Sequence, residues 1–198
     1  MRLPIWKRKP MVGEVALEAR SAVQEASQQT FLRLITQYES ALRRLAGAYV
    51  AQSTDREDLF QEIAVAIWQA VPGFRGESSE RTWLYRIAHN VAISSVAKAR
   101  RRGQREEGMA ERFDYASLAP NAEQVVLRSE KLRLLNEAIR DLPVIDRQII
   151  LLHLEGLSYG EIEEVSGLSE AAVATRLTRI REKLKGKIAT RRSAAHER

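Results

Sequence analysis

Covalent catalysis has little to work with in this chain. There is no cysteine, so neither a thiolate nucleophile nor a thiolate metal site is available. His89, His153 and His196 are the three histidines and share no ligand spacing. No nucleophile–base constellation or phosphate-cradling glycine loop accompanies them. The expected protein is therefore not an enzyme, and no cofactor or metal is expected. The side chains that can act are cationic and aromatic. From Arg86 through Arg105 no acidic residue occurs, while Lys98, Arg100, Arg101, Arg102 and Arg105 accumulate. Just upstream, Phe74, Trp83 and Tyr85 interleave with Arg75 and Arg86. Rings that stack on bases beside cations that follow a phosphate backbone are what single-stranded nucleic acid requires. Core packing remains the better reading for Trp83 alone. A second basic run comprises Arg176, Arg179, Arg181, Lys183, Lys185 and Lys187. One such run is usually a solvated face; two on separate helical units favour a nucleic-acid partner.

The composition agrees with that reading. The 198 residues carry a formal charge of +6 with a pI near 9.8, which attracts anionic partners. With 44% hydrophobic and 29% charged residues, the chain can fill a core and stay in water. No stretch is long and apolar enough for a bilayer span, so no membrane insertion is expected. The basic start at Arg2, Lys7, Arg8 and Lys9 precedes no apolar core of a signal peptide. A cytoplasmic location is the expectation.

Helices must position these groups, because apolar residues recur at three- and four-residue intervals and no sustained alternation suggests strands. An all-α protein of two small helical domains joined by a flexible linker follows. Residues 1–26 read as a poorly specified extension. Helices are expected over about 28–50, 55–71 and 80–102, within a first domain of residues 27–103. Thr54 and Glu57 have capping-box spacing, Pro72-Gly73 stops the second helix, and Ser78-Ser79 caps the third. On the second helix, Leu59, Ile63, Ala66, Ile67 and Ala70 form the apolar stripe. On the third, Leu84, Ala88, Val91 and Ser95 face the core. Arg86, Asn90, Ile93, Ala97 and Arg100 face outward there, with Trp83 and His89 at the flanks.

Gly103, Gly108 and Pro120-Asn121 punctuate a polar linker over 104–121. A second domain spans 122–190, and a basic tail covers 191–198. Ala122 to Asp141 is amphipathic through Val125, Val126, Leu132, Leu135 and Ile139. A helix from Pro143 to about Glu155 stops at Gly156. Ser158 and Glu161 cap a short helix, and Ser169 opens a long one reaching about Ile188. On that last helix Val173, Leu177, Ile180 and Leu184 share one narrow stripe, which must be buried. Ala171, Thr175, Thr178, Arg179 and Glu182 lie opposite, with Ala172 and Arg176 near the edges. A short helix bracing a longer one that exposes small, polar and basic groups is the geometry for major-groove entry. Arg179 is placed to reach guanine edges or phosphates, and Arg176 and Arg181 to reach phosphates.

Two strings carry a family resemblance. DREDLFQEIAVAIWQAVPGFRGESSERTWLYRIAHNVAISSVAKARRRG, Asp55 to Gly103, resembles region 2 of the extracytoplasmic-function sigma factors of the sigma-70 family. LPVIDRQIILLHLEGLSYGEIEEVSGLSEAAVATRLTRIREKL, Leu142 to Leu184, resembles their region 4. The likeness covers most of 27–188. It implies a factor that binds core RNA polymerase and directs promoter recognition and melting for a specific regulon. The helix bearing Asp58, Leu59, Gln61 and Glu62 would dock on the β′ clamp coiled coil. Phe74, Arg75, Gly76, Glu77, Ser78, Ser79, Ile87, Ala88 and Asn90 would surround a base flipped from the −10 element. Arg86, Lys98, Arg100, Arg101 and Arg102 would hold the DNA backbone there. Ser169, Ala171, Ala172, Thr175, Arg176, Arg179 and Arg181 would read the −35 element, with the β flap as that unit's polymerase contact. The linker would thread the polymerase interior, and an anti-sigma protein would mask the polymerase-binding surfaces.

Four positions depart from the family pattern. Glu80 stands where an aromatic is frequent, Glu163 where a small residue packs, and Ala172 and Ala174 where threonine and a basic residue are common. A stand-alone helix-turn-helix regulator would account for the C-terminal half but not for 55–103. An RNA-binding protein competes for the basic segment 86–105 and would bind single-stranded RNA at least as well as promoter DNA.

Overall fold

The structure, a computed structural model, describes the backbone of residues 12–103 and 132–196 and the side chains of residues 20–101 and 132–190. The expected linker 104–121, Val125, Val126 and the side chain of Arg102 lie outside the described residues. Every regular element among those described is helical: α1 (Val12–Tyr49), α2 (Ser53–Ala70), α3 (Glu80–Gly103), α4 (132–140), α5 (Val144–Leu154), α6 (Tyr159–Ser166) and α7 (Glu170–His196). A single 3₁₀ turn, Val71–Gly73, closes α2 at the predicted Pro72-Gly73 stop.

α1 begins well before the expected boundary, running through what reads as an extension. The segment 12–27 holds four Ala and three Glu, strong helix formers, and no proline. α1 buries Leu34, Leu42, Leu45, Ala46 and Tyr49, positions repeating at helical spacing. α2 lays Leu59, Phe60, Ile63 and Ile67 against that stripe, and α3 closes the bundle with Leu84, Ala88 and Ala92, each 0% exposed. The predicted capping box of Thr54 and Glu57 does not form. The N-cap is Gln52, without a side-chain bond, and the Glu57 carboxylate instead accepts from Arg43 at 2.6 Å and Gln61 at 3.0 Å. Arg43 lowers the pKa of that carboxyl. At α3, Ser79 does cap, its Oγ accepting the Thr82 N–H at 3.0 Å. Ile93, expected outward, packs against the core. His89, expected at a flank, is 1% exposed.

In the second unit, α5, α6 and α7 pack on one another. Leu132, expected in the apolar stripe of α4, is exposed, while Leu134, Ala138 and Ile139 are buried. The capping box at α6 is complete: Ser158 Oγ accepts the Glu161 N–H at 3.2 Å, and Glu161 accepts the Ser158 N–H at 2.8 Å. Gly167 ends α6 at φ 73, its N–H donating to Glu163 O at 2.8 Å. That left-handed conformation disfavours any residue with a Cβ, and it sets the turn into α7. α7 continues past the expected Ile188 and into the segment read as a tail, to His196.

The two units form one continuous apolar core. α3 rests on α5 and α6. Polar bonds reinforce the contact: Arg44 grips Glu155 at 2.9–3.1 Å, Tyr85 donates its hydroxyl to Glu155 at 3.0 Å, and Arg140 donates to Gly47 O at 2.9 Å. Arg147 is buried, donates to Tyr49 O at 3.4 Å and lies 5.3 Å from the Tyr49 ring centroid.

Beneath this contact Tyr49 Oη and His89 Nδ1 share a hydrogen bond of 2.9 Å, while His89 Nε2 finds no partner among the described residues. Burial pushes the His89 pKa down from 6.5 to about 3, because a charged ring would be stranded away from water. The folded state therefore favours neutral His89. Its contribution to stability is complete above about pH 6.5 and is lost as pH falls toward 3. Going from pH 7 to pH 5 should cost about 2 kcal/mol from this group, read as a lower urea midpoint. His89→Gln should flatten that dependence; an unchanged slope would trace it to other groups.

Candidate nucleic-acid and polymerase interfaces

Three surfaces emerge from this arrangement. The first is the outer face of α2. Asp58, Gln61 and Glu62 are exposed there at helical spacing, with Val65 53% exposed one turn on. Leu59, expected on this docking face, is 2% exposed and belongs to the core. It supports the face from behind and cannot itself touch a partner. Val65 and Trp68 were missed in the sequence because they fall off the apolar stripe. That displacement is the signal that could have found them, since large apolar residues turned toward solvent mark contact surfaces when they cluster. Trp68 keeps one side against Phe31, at a centroid distance of 5.2 Å in an edge-on contact.

The second surface is the connection from α2 to α3. Gly73, Phe74, Arg75, Glu77, Ser78 and Trp83 line a cavity of 280 Å³, smaller than a typical drug-sized pocket. Phe74 and Trp83 lie 4.9 Å apart with ring planes inclined by 45°, and Trp83 is 8% exposed. Trp83 is thus both a core residue and part of the cavity wall. Gly76 turns the loop at φ 73. Ser79 is committed to capping α3, and Ala88 is fully buried, so Ala88 can act only as packing beneath the site. Gly76, Ser79, Ile87, Ala88 and Asn90 do not line the cavity. Arg86 and Asn90 are exposed one turn apart on α3, and Lys98, Arg100 and Arg101 extend the exposed track. Ile87 is half-buried.

The third surface is α7. Val173, Leu177, Ile180 and Leu184 are buried at 0–7% exposure, as the stripe requires; each such side chain contributes about 1.5–3 kcal/mol by leaving water. Ala171, Thr175, Thr178 and Arg179 are exposed opposite, and Ala172 is half-buried. Ser169 Oγ accepts the Ala172 N–H at 3.4 Å. Arg176 donates to Asp146 at 2.8 Å and Arg181 meets His153 Nε2 at 2.8 Å. Burial and the neighbouring Arg181 both lower the His153 pKa. Among the described residues no helix is long and apolar enough to cross a membrane, and no group of three or more acidic, histidine or cysteine side chains is placed to hold a metal.

Comparison with known families decides the identity. Residues 34–102 match the model of Sigma-70 region 2, and residues 132–184 match Sigma-70, region 4. The ECF RNA polymerase sigma-E factor of Haemophilus influenzae is 32% identical over 173 residues, covering 84% of this chain and 91% of that protein. That of Escherichia coli is 33% identical over 173 residues, covering 84% and 90%. The chain belongs to the extracytoplasmic-function sigma factors of the sigma-70 family. It is a transcription initiation factor, not an enzyme, and as such binds core RNA polymerase and promoter DNA.

Two solved structures share the sigma factor's fold. CnrH in complex with the cytosolic domain of CnrY aligns with a TM-score of 0.61 and 24% identity, covering 86% of this chain and 94% of CnrH. RpoE in complex with the anti-sigma factor NepR from Bartonella quintana aligns with a TM-score of 0.65 and 23% identity, covering 81% and 98%.

Two of the departures from the family pattern have local partners in this sigma factor. Glu80 is held by both terminal nitrogens of Arg33, at 2.5 Å and 3.0 Å, tying α1 to the start of α3. Glu163 accepts the Glu170 N–H at 3.0 Å, satisfying one of the free amides at the start of α7. Nothing in the structure explains Ala172 or Ala174 beyond their small size.

Proposed function

We propose that this sigma factor divides promoter recognition over the three surfaces, with residues 27–103 and 122–190 as its two functional units. The outer face of α2 docks on the β′ clamp coiled coil through Asp58, Gln61, Glu62 and Val65. The α2–α3 connection takes a base flipped out of the −10 element, with Phe74, Arg75, Glu77 and Ser78 around it, while Gly76 turns the loop and Ser79 caps α3 behind them. Asn90 and Arg86 contact the strand from α3, and the cations from Lys98 to Arg102 hold its backbone. α7 enters the major groove of the −35 element, and its unit touches the β flap. The linker threads the polymerase interior, and the protein works in the cytoplasm on a specific regulon.

The observation that carries this reading is the cavity beside Phe74 and Trp83 at the start of α3, a helix that from Arg86 onward is free of acids and exposes its cations. Unstacking a base costs a few kcal/mol, which contacts to the extruded base must offset. The anti-sigma partner named for the Bartonella relative supports a similar inhibitor here.

Run-off transcription with purified core polymerase, this protein and pooled genomic promoter fragments tests the function. Discrete transcripts that need the protein are expected, and their start sites define the promoter motif. Absence of transcripts together with no co-elution with core polymerase would reject it. Asp58→Arg reverses the charge of an exposed docking residue. It should weaken core binding about tenfold, measured by fluorescence anisotropy of labelled protein; unchanged affinity would remove Asp58 from the interface.

A further inference from the structure

We infer that Asp146, outside the DNA-facing surface of α7, is a positioning residue for −35 recognition that sets which arginine of that helix reads bases. The inference rests on the reading of α7 as the −35 element binder. Asp146 occupies the first turn of α5, where an acid is favoured by the helix dipole without any partner. Here its side chain is only 8% exposed and is gripped from both sides by α7. Arg176 Nη1 stands 2.8 Å from Oδ1, and Lys183 Nζ stands 3.5 Å from Oδ2. Arg176 and Lys183 are 41% and 53% exposed, so the buried partner is the anchor and the exposed ones are held by it. A carboxylate withdrawn from water requires its counter-charges, which makes Arg176 reluctant to leave.

The consequence lies along the cleft of 470 Å³ between Asp146 and α7, whose other walls include Thr175, Arg176, Arg179 and Lys183. Arg176 and Lys183 are seven residues apart, about 10 Å along the helix axis, and Asp146 fixes both. Arg179 lines the same cleft and has no hydrogen-bond or ion-pair partner among the described residues. One arginine is therefore pre-ordered beside the groove wall, suited to phosphate, and the other is free to extend to a base edge, where a bidentate contact discriminates strongly. Neutralising Asp146 releases Arg176 to compete for the same edge. It also removes the only carboxylate among the described residues lining the cleft, so non-specific attraction to DNA rises.

The test uses holoenzyme assembled from the full chain, with a promoter pool randomised across the −35 element. Bound fragments are sequenced. Asp146→Asn should reduce discrimination at −35 positions about fivefold or more, with a steeper salt dependence of binding and an unchanged −10 preference. In an Arg176→Ala background the same substitution should add no further loss of discrimination, because Asp146 acts through Arg176. Asp146→Ser repeats the arm with a smaller neutral group. Equal losses with and without Arg176 would show that Asp146 merely supports the fold and would overturn the inference. So would undiminished discrimination in Asp146→Asn. If Arg176→Ala and Arg179→Ala both leave −35 discrimination intact, the reading of α7 itself has failed, whatever Asp146 does.

Discussion

Replacing Asn90 by alanine should lower open-complex formation about a hundredfold, roughly 2.7 kcal/mol of barrier, while leaving affinity for core polymerase within about twofold of the parent. Asn90 is exposed on α3, one turn beyond Arg86. Its amide offers two donors and an acceptor, and none is used within the described residues. On the proposed reading, a free amide on the helix that carries the Trp83 wall of the cavity stabilises the melted strand and not the closed duplex. Its loss therefore falls on melting and not on assembly. The proposed docking face on α2 is a separate surface, so core binding should not register the change. Permanganate reactivity of −10 thymines in holoenzyme complexes measures melting directly. Equal reactivity for the mutant and the parent would strike Asn90 from the −10 site.

The second large effect is expected from Glu155→Lys. Glu155 is 21% exposed on its side chain and gathers Arg44 from α1 and the Tyr85 hydroxyl from α3. Burial of Tyr85, and after it the Glu155 charge, raises the pKa of Tyr85, so Tyr85 is a neutral donor at any physiological pH. A lysine there faces Arg44 with like charge and leaves a partly buried hydroxyl without its acceptor. The combined loss is about 2–3 kcal/mol, mostly from the stranded hydroxyl because Arg44 is largely exposed, and it bears on the contact between the two units. Small-angle scattering should report a larger radius of gyration, while helix content stays constant because neither bundle's own stripe is touched. An unchanged radius would mean that the apolar contact of α3 with α5 and α6 suffices without the polar node. The contact matters for function because −10 and −35 elements lie roughly 25 base pairs apart, about 85 Å at 3.4 Å per pair. On the proposed assignment of the −10 element to the first unit and the −35 element to the second, the two units separate to reach both.

Much of the site was legible in the sequence because helical periodicity and charge are local properties. The stripe Val173, Leu177, Ile180 and Leu184 is buried as its spacing demands, and Ser158 with Glu161 forms the predicted capping box. Every cation expected on α3 whose side chain is described is exposed. The failures fall where a distant group competes. Thr54 and Glu57 have the spacing of a cap, yet Arg43 on α1 claims the carboxylate. Leu59 and Ala88 sit inside motifs that resemble contact surfaces, yet both are needed to close the bundle.

By itself, then, the sequence determined the helical class, a basic segment on each of two helical units, the capping box at α6 and the buried stripe of α7 with its exposed opposite side. Each follows from residue type at a three- to four-residue repeat, which a helix converts into a face whatever lies around it. Only the tertiary structure decided the partners of individual charges. It gave Glu155 to Arg44, 111 residues away, buried Arg147 against Tyr49, and set Asp146 between Arg176 and Lys183. An ion pair depends on where two helices cross, and that crossing is set by the fit of whole apolar surfaces. No local pattern in the chain encodes it.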